Sequence, residues 1–192
     1  MSLVPMIVKK TANGERAMDP YSVLLDQRIV IIDSEITEEM AGPIIAQLLY
    51  LDSINNKPIT LQITCPGGSI LAGLAIIDTI KKIKSEVHGL CIGYCASMGA
   101  AILSQCTKRY ITENAYVMIH QASSGTKGNI QDMKVSLEFT EKLNRKLAKM
   151  ISESCGKTEE DYLRDTNRDK WMDADEALAY GIVDEIIKTT SR

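Results

Sequence analysis

Two side chains in this sequence have the types and settings that hydrolytic chemistry needs, Ser97 and His120. Ser97 lies in the stretch from Gly93 to Ala100, after an apolar run (Glu86–Gly93) that reads as a buried strand. The following run, Ala100–Gln105, reads as a helix. A serine at a strand-to-helix junction, flanked by the small residues Ala96 and Gly99, can project its hydroxyl out of the turn beside the N–H groups of the new helix. The motif is half of a G-x-S-x-G elbow, because Cys95 stands where the first glycine belongs. Serine is also a favoured helix N-cap, so the junction alone does not separate a cap from a nucleophile.

His120 follows the apolar run Ala115–Ile119, and histidine is the residue type best suited to act as a general base near neutrality. A histidine at a strand end is by default a surface or structurally satisfied one. The other histidine, His88, lies inside an apolar strand and reads as structural. Pro66-Gly67-Gly68 ends a further strand as a turn, and a bare glycine N–H there could face a developing oxyanion.

The elements that must position these groups alternate between strand and helix. Residues 1–16 are polar and without periodicity, and read as a mobile arm or loop; we take 1–18 as an N-terminal axial loop or arm and 19–192 as one domain. Asp19 and Pro20 have the N-cap and N1 signature of a short helix to about Asp26. A strand over Arg28–Ile32 leads to a helical pattern from Ile36 to Asp52, with Pro43 expected to kink its first turns. Lys57–Thr64 reads as a strand and about Ile70–Lys84 as a helix with Leu71, Leu74, Ile77 and Ile80 on one side. Such alternation implies right-handed crossovers and a largely parallel sheet. Sites in such sheets form at the C-terminal strand ends, and Gly68, Ser97 and His120 all fall there.

Residues 121–129 are small and polar and read as a loop able to face substrate. A helix of about 130–155 follows, with a stripe of Ile130, Met133, Leu137, Leu143, Leu147 and Met150. At ~1.5 Å per residue it spans nearly ~40 Å, and Val135 and Phe139 add apolar surface off the stripe. A second apolar face calls for a second partner, so we read this helix as an intersubunit arm. A capped helix opens at Thr158, the charged stretch Arg164–Lys170 reads as a loop, a last helix runs from Asp175 to Tyr180 and stops at Gly181, and a final strand covers Ile182–Ile187.

The composition, 45% hydrophobic and 24% charged in 192 residues, fits a globular protein. A net charge of −3 without basic runs argues against a nucleic-acid surface. No apolar run approaches membrane-spanning length, and no signal-peptide order opens the chain, so we expect a cytoplasmic location. Five scattered cysteines fit reduced thiols better than disulfides or zinc ligands. Spacing leaves the acid of a triad open among Asp161, Asp165, Asp169, Asp173 and Asp175.

Several stretches in order resemble the proteolytic subunits of the Clp protease family: Pro66-Gly-Gly-Ser69, Ala72–Thr79, Ala96-Ser-Met-Gly-Ala100, Met118-Ile-His-Gln121, Arg164-Asp-Thr-Asn-Arg-Asp169 and Glu176–Asp184 among them. The resemblance covers nearly the whole chain and implies an α/β fold of the ClpP and crotonase type, mostly parallel strands with crossover helices and a long projecting handle helix. It implies a serine endopeptidase with Ser97 as nucleophile, His120 as base and Asp169 as the orienting acid, and the N–H groups of Gly68 and Met98 as the oxyanion hole. Substrate is expected as an added strand between Ser69, Ile70 and Leu71 on one side and Ser123, Ser124 and Gly125 on the other.

The family's assembly, two stacked seven-membered rings, is implied for this chain, with Arg168 at the inter-ring position that senses it. Implied too is a hexameric AAA+ unfoldase of the ClpX, ClpA or ClpC type, which uses the ATP; the chain itself is expected to need no cofactor and no metal. Departures from the family pattern are Ala122 where proline is usual, Ser123 and Ser124 ahead of Gly125, and a slightly short Ser104–Arg109. Thr60, Gln62 and Lys82 stand at unfoldase-docking positions that are often aromatic, which predicts weakened docking or a mixed complex with a paralogous ring, in which this chain would be a regulatory subunit. A CoA-ester hydratase or isomerase shares the broader fold but has no reason to keep Ser97, His120 and Asp169 together.

Overall fold

Residues 5–11, 14–123, 125 and 127–188 are described in the computed structural model of the chain. The first elements, β1 (Ile7–Thr11) and β2 (Gly14–Met18), pair antiparallel as a hairpin apart from the main sheet. This differs from the expected irregular arm. Ile7, Val8 and the residues from Gly14 to Ala17 are exposed, so neither strand carries the one-sided apolar pattern by which sequence reveals strands. Helix α1 (Pro20–Asp26) starts as expected, with the Asp19 carboxylate accepting the Ser22 N–H at 3.0 Å.

Strand β3 (Ile29–Ile32) leads into α2 (Glu38–Ile54), which is capped by Thr37 and continues through Pro43. Next comes β4 (Ile59–Cys65), where Ile59, Leu61, Ile63 and Cys65 are fully buried while Thr60, Gln62 and Thr64 are half-buried on the other face. That period-2 pattern shows one face of the sheet packed on the core and one left open. Helix α3 (Ile70–Lys82) buries Leu74, Ile76, Ile77 and Ile80 against that core. Leu71 departs from the expected apolar side and is 54% exposed.

Strand β5 (Val87–Ala96) outlasts its expected end at Gly93. Gly93, at φ +72°, redirects the chain, and the strand changes partner there. After it come helix α4 (Met98–Ser104), β6 (Lys108–Thr112) and β7 (Tyr116–Ile119). Residues 88–91 of β5 pair with β6, and residues 94–96 pair with β7. Strand β6 was not foreseen because Ile111 alone among its residues is buried.

Helix α5 (Ile130–Ser154) matches the expected handle. Its buried residues, Ala148, Ile151 and Ser152, all lie in its last two turns. Ile130, Val135, Leu137 and Phe139, nearer its start, are exposed. Then follow α6 (Glu159–Asp165), β8 (Lys170–Met172), α7 (Ala174–Tyr180) and β9 (Glu185–Ile187). Of the expected charged loop, α6 takes Arg164 and Asp165 and β8 takes Lys170; the expected last strand is shortened to β9, its first residues being irregular although Ile182 and Val183 are buried.

The main sheet runs β3–β4–β5–β6–β9, all parallel; β7 joins the end of β5 in parallel and β8 pairs antiparallel with β7. Each fully buried Ile or Leu on the inner face contributes about 1.5–3 kcal/mol. Among the described residues no helix is long and apolar enough to cross a membrane.

Candidate active site

The ends of β4, β5 and β7 lie side by side, because β5 pairs with both neighbours at its C-terminal end. This places Gly67 and Gly68, Ser97 and His120 on one rim. Ser97 has φ +54° and ψ −118°, a conformation non-glycine residues avoid, at a cost of about 1–3 kcal/mol. Backbone bonds hold it there: Ser97 N–H donates to Met118 O at 2.9 Å and Ser97 O accepts from Ala101 N–H at 3.1 Å. Although it precedes α4, its hydroxyl makes no capping bond. Instead Ser97 Oγ lies 2.7 Å from His120 Nε2. The cap reading of Ser97 fails for this reason. The side chain is turned away from the helix and toward the imidazole.

Gly67 is what allows the close approach. With φ +108°, it lies so near Ser97 that a Cβ on it would stand 2.6 Å from Ser97 Cβ and 3.1 Å from Ser97 Oγ. The chain through Gly68 is tied to Ile36, whose N–H donates to Gly67 O at 2.8 Å and whose O accepts from Ser69 N–H at 2.7 Å. A residue paired this way turns its own N–H to the opposite side. Gly68 and Met98 both line the cavity at Ser97, and among the described residues neither N–H has an acceptor.

The ladder between β7 and β8 sets one of the five candidate aspartates beside His120. Ile119 is paired with Lys170, so the next antiparallel step sets His120 opposite Asp169. His120 Nδ1 is 3.6 Å from Asp169 Oδ1, an ion-pair distance rather than a hydrogen bond, and the Asp169 side chain is 63% exposed. The other candidates are engaged elsewhere. Asp161 pairs with Arg164 at 2.6 Å, Asp165 faces Lys170 at 4.0 Å, Asp173 caps α7 in a capping box, and Asp175 is exposed in that helix's first turn. Arg168 is exposed beside Asp169, in a groove that also includes His120, Gln121 and Thr166.

A cavity of about 60 Å³ opens beside Ser97, with Ile70, Met98, Ala101, Leu147 and Ile151 among its walls. Of the expected substrate contacts, Ile70 and Ser123 line it. Ser69 uses its hydroxyl to cap α3, accepting from Ala72 N–H at 3.3 Å, and to donate to Glu38 at 2.9 Å. Leu71 and Gly125 are exposed and line neither this cavity nor the grooves beside it, and Ser124 lies outside the described residues. Asn144, another wall residue, was not singled out from sequence. The signal was present, since it is a polar residue on the apolar stripe between Leu137 and Leu147. Cys95, at the elbow's missing glycine, is fully buried, and burial holds its thiol well above the ordinary range. It therefore offers no rival nucleophile. Thr60 and Gln62 occupy the open face of β4, and Lys82 the exposed last turn of α3.

The sequence model of the Clp protease family matches residues 12–190. Proteins described as the ATP-dependent Clp protease proteolytic subunit from Streptococcus pyogenes serotype M1, serotype M5 (strain Manfredo) and serotype M49 (strain NZ131) are each 43% identical to this chain over 191 residues, covering 97% of it and 97% of their own length. The similarity spans both the strand ends that carry Ser97 and His120 and the ladder that presents Asp169, and on this ground the chain belongs to the Clp protease family and is a serine endopeptidase of the Clp type.

Proposed function

We propose that Ser97 attacks the carbonyl carbon of a peptide bond while His120 takes its proton through Nε2 and then delivers it to the leaving amine. The observation that carries this is the 2.7 Å contact between Ser97 Oγ and His120 Nε2. Asp169 steers the imidazole through Nδ1 and balances its charge when protonated. The Gly68 and Met98 N–H groups receive the oxyanion, each worth roughly 2.7–4 kcal/mol in the transition state. Water then repeats the attack on the acyl-serine, with His120 as base. The peptide lies along the rim between residues 69–71 and 123–125 as an added strand. Its side chain on the acyl side enters the cavity at Ser97. At about 60 Å³ the cavity is well below the ~150 Å³ that encloses a benzene ring, so it takes a small or partly inserted aliphatic side chain.

Assembly into two stacked seven-membered rings follows from the same reading. Its support here is the exposed apolar start of α5, which a single copy leaves uncovered. In such an assembly substrates arrive through a hexameric AAA+ unfoldase that spends the ATP, in the cytoplasm, and this chain needs no cofactor of its own. The half-buried Thr60 and Gln62 and the exposed Lys82 offer an apolar docking loop little to bury, so docking is weak on this subunit. The test is cleavage of a fluorogenic peptide with leucine before the scissile bond, by the wild type and by Ser97→Ala, with particle size measured in parallel. Loss of cleavage with unchanged particle size is expected. Equal cleavage by the variant would overturn the assignment of Ser97.

A further inference from the structure

Behind the rim that is to hold the substrate strand, one side chain of the handle helix reaches back to the rim's own backbone. Asn144, on α5, accepts the Ala122 N–H through Oδ1 at 2.9 Å. Among the described residues it is the side-chain hydrogen bond that ties the segment after His120 to α5; the preceding residue is tied elsewhere, Gln121 N–H donating to Thr166 O at 3.2 Å. Residues 121–123, beyond the reach of the β7–β8 ladder, belong to no strand. Asn144 also stands between two hollows, lining both the cavity at Ser97 and a second groove formed with Gln121, Leu137, Thr140 and Glu141. Asn144 is half-buried, and its Oδ1 satisfies a backbone donor to which the fold gives no backbone acceptor.

We propose that Asn144 is a positioning residue for substrate: it fixes the Ala122–Ser123 rim against α5 and thereby sets the affinity for the peptide strand. The inference rests on the serine-peptidase reading above and assigns to α5 a part in the substrate cleft. Ser97 and His120 are positioned independently of Asn144, by the Met118 bond and the end of β7. The reactivity of the serine is therefore separable from the placement of the rim.

The separation gives the test. In the full-length protein, Asn144→Leu keeps the branched heavy-atom skeleton and removes the acceptor, and Asn144→Asp keeps an acceptor. We expect Asn144→Leu to raise KM for a fluorogenic peptide about three- to tenfold, the ratio carried by one net hydrogen bond, with kcat changed less. Labelling of Ser97 by a small fluorophosphonate, which makes no use of the rim, should keep the wild-type rate. Asn144→Asp should return KM to near the wild-type value. An unchanged KM in Asn144→Leu, or an equal slowing of labelling and peptide cleavage, would overturn the proposal while leaving the active-site reading intact. A wild-type protein whose Ser97 is not labelled would overturn that reading and the proposal with it.

Discussion

Replacing Gly67 by alanine isolates what the turn beside Ser97 contributes to catalysis. The added methyl would stand 2.6 Å from Ser97 Cβ and 3.1 Å from both Ser97 Oγ and Ala96 O. Carbon atoms in contact prefer about 3.5–4.0 Å, so the deficit against Ser97 Cβ is on the order of 1 Å. The neighbour cannot swing aside as a long side chain could, because Ser97 Cβ is fixed to a backbone bonded to Met118 and Ala101. Gly67 also holds φ +108°, which costs an alanine about 1–3 kcal/mol. A displacement of about 1 Å at a reacting group lowers turnover about 10²-fold. We therefore expect Gly67→Ala to cut kcat for a fluorogenic peptide by about two orders of magnitude, and to slow fluorophosphonate labelling of Ser97 comparably. Gly42→Ala is the control: the space beside Gly42 is open within α2, and the substitution should add about 0.5–1 kcal/mol of stability without affecting turnover. Wild-type kcat in Gly67→Ala would refute the argument that this glycine is required by the approach to Ser97.

Two further outcomes follow from contacts away from the site. Arg28, itself at φ +62°, donates to the carbonyls of Leu51 at 2.9 Å and Lys57 at 2.6 Å and to Ser85 Oγ at 3.2 Å, closing the end of α2 against the sheet; Arg28→Ala should cost on the order of 2 kcal/mol in urea unfolding, and a loss near zero would show these bonds to be solvent-replaceable. At Asp184, partial burial raises the carboxyl pKa, but the ion pair and hydrogen bonds with Arg109 outweigh it and hold the pKa below its usual value. A lowered folded-state pKa adds stability that is present above the unfolded value of about 3.9 and is lost as pH falls through the folded one. Asp184→Asn should thus be less stable than wild type at pH 7, with the gap closing below about pH 4; a gap independent of pH would contradict the pairing.

The period-2 pattern of β4, the capping signals at Asp19 and Thr158, and the apolar stripe of α5 were readable because each element's exposure is one-sided, and one-sided exposure writes itself into the order of residues. The hairpin of β1 and β2 and the strands β6 and β8 were not, since residues that pair by backbone alone leave no such trace. Leu71 misled for the related reason that an apolar residue on a helix need not face the core.

The sequence by itself determined the serine at a strand-to-helix junction, the histidine and the glycines at equivalent strand ends, and a helix with more apolar surface than one domain can cover. The choice of Asp169 over four other aspartates followed, from residues alone, only by resemblance, because all five lie close together within residues 161–175 and spacing does not rank them. Tertiary structure ranks them through the antiparallel register of β7 and β8, which sets Asp169 across from His120. Whether Ser97 caps its helix or faces the imidazole was likewise a question of φ and ψ, held by Met118, Ala101 and the bare surface of Gly67. Each of these depends on chain segments distant in sequence, and their contacts exist only once the sheet has formed.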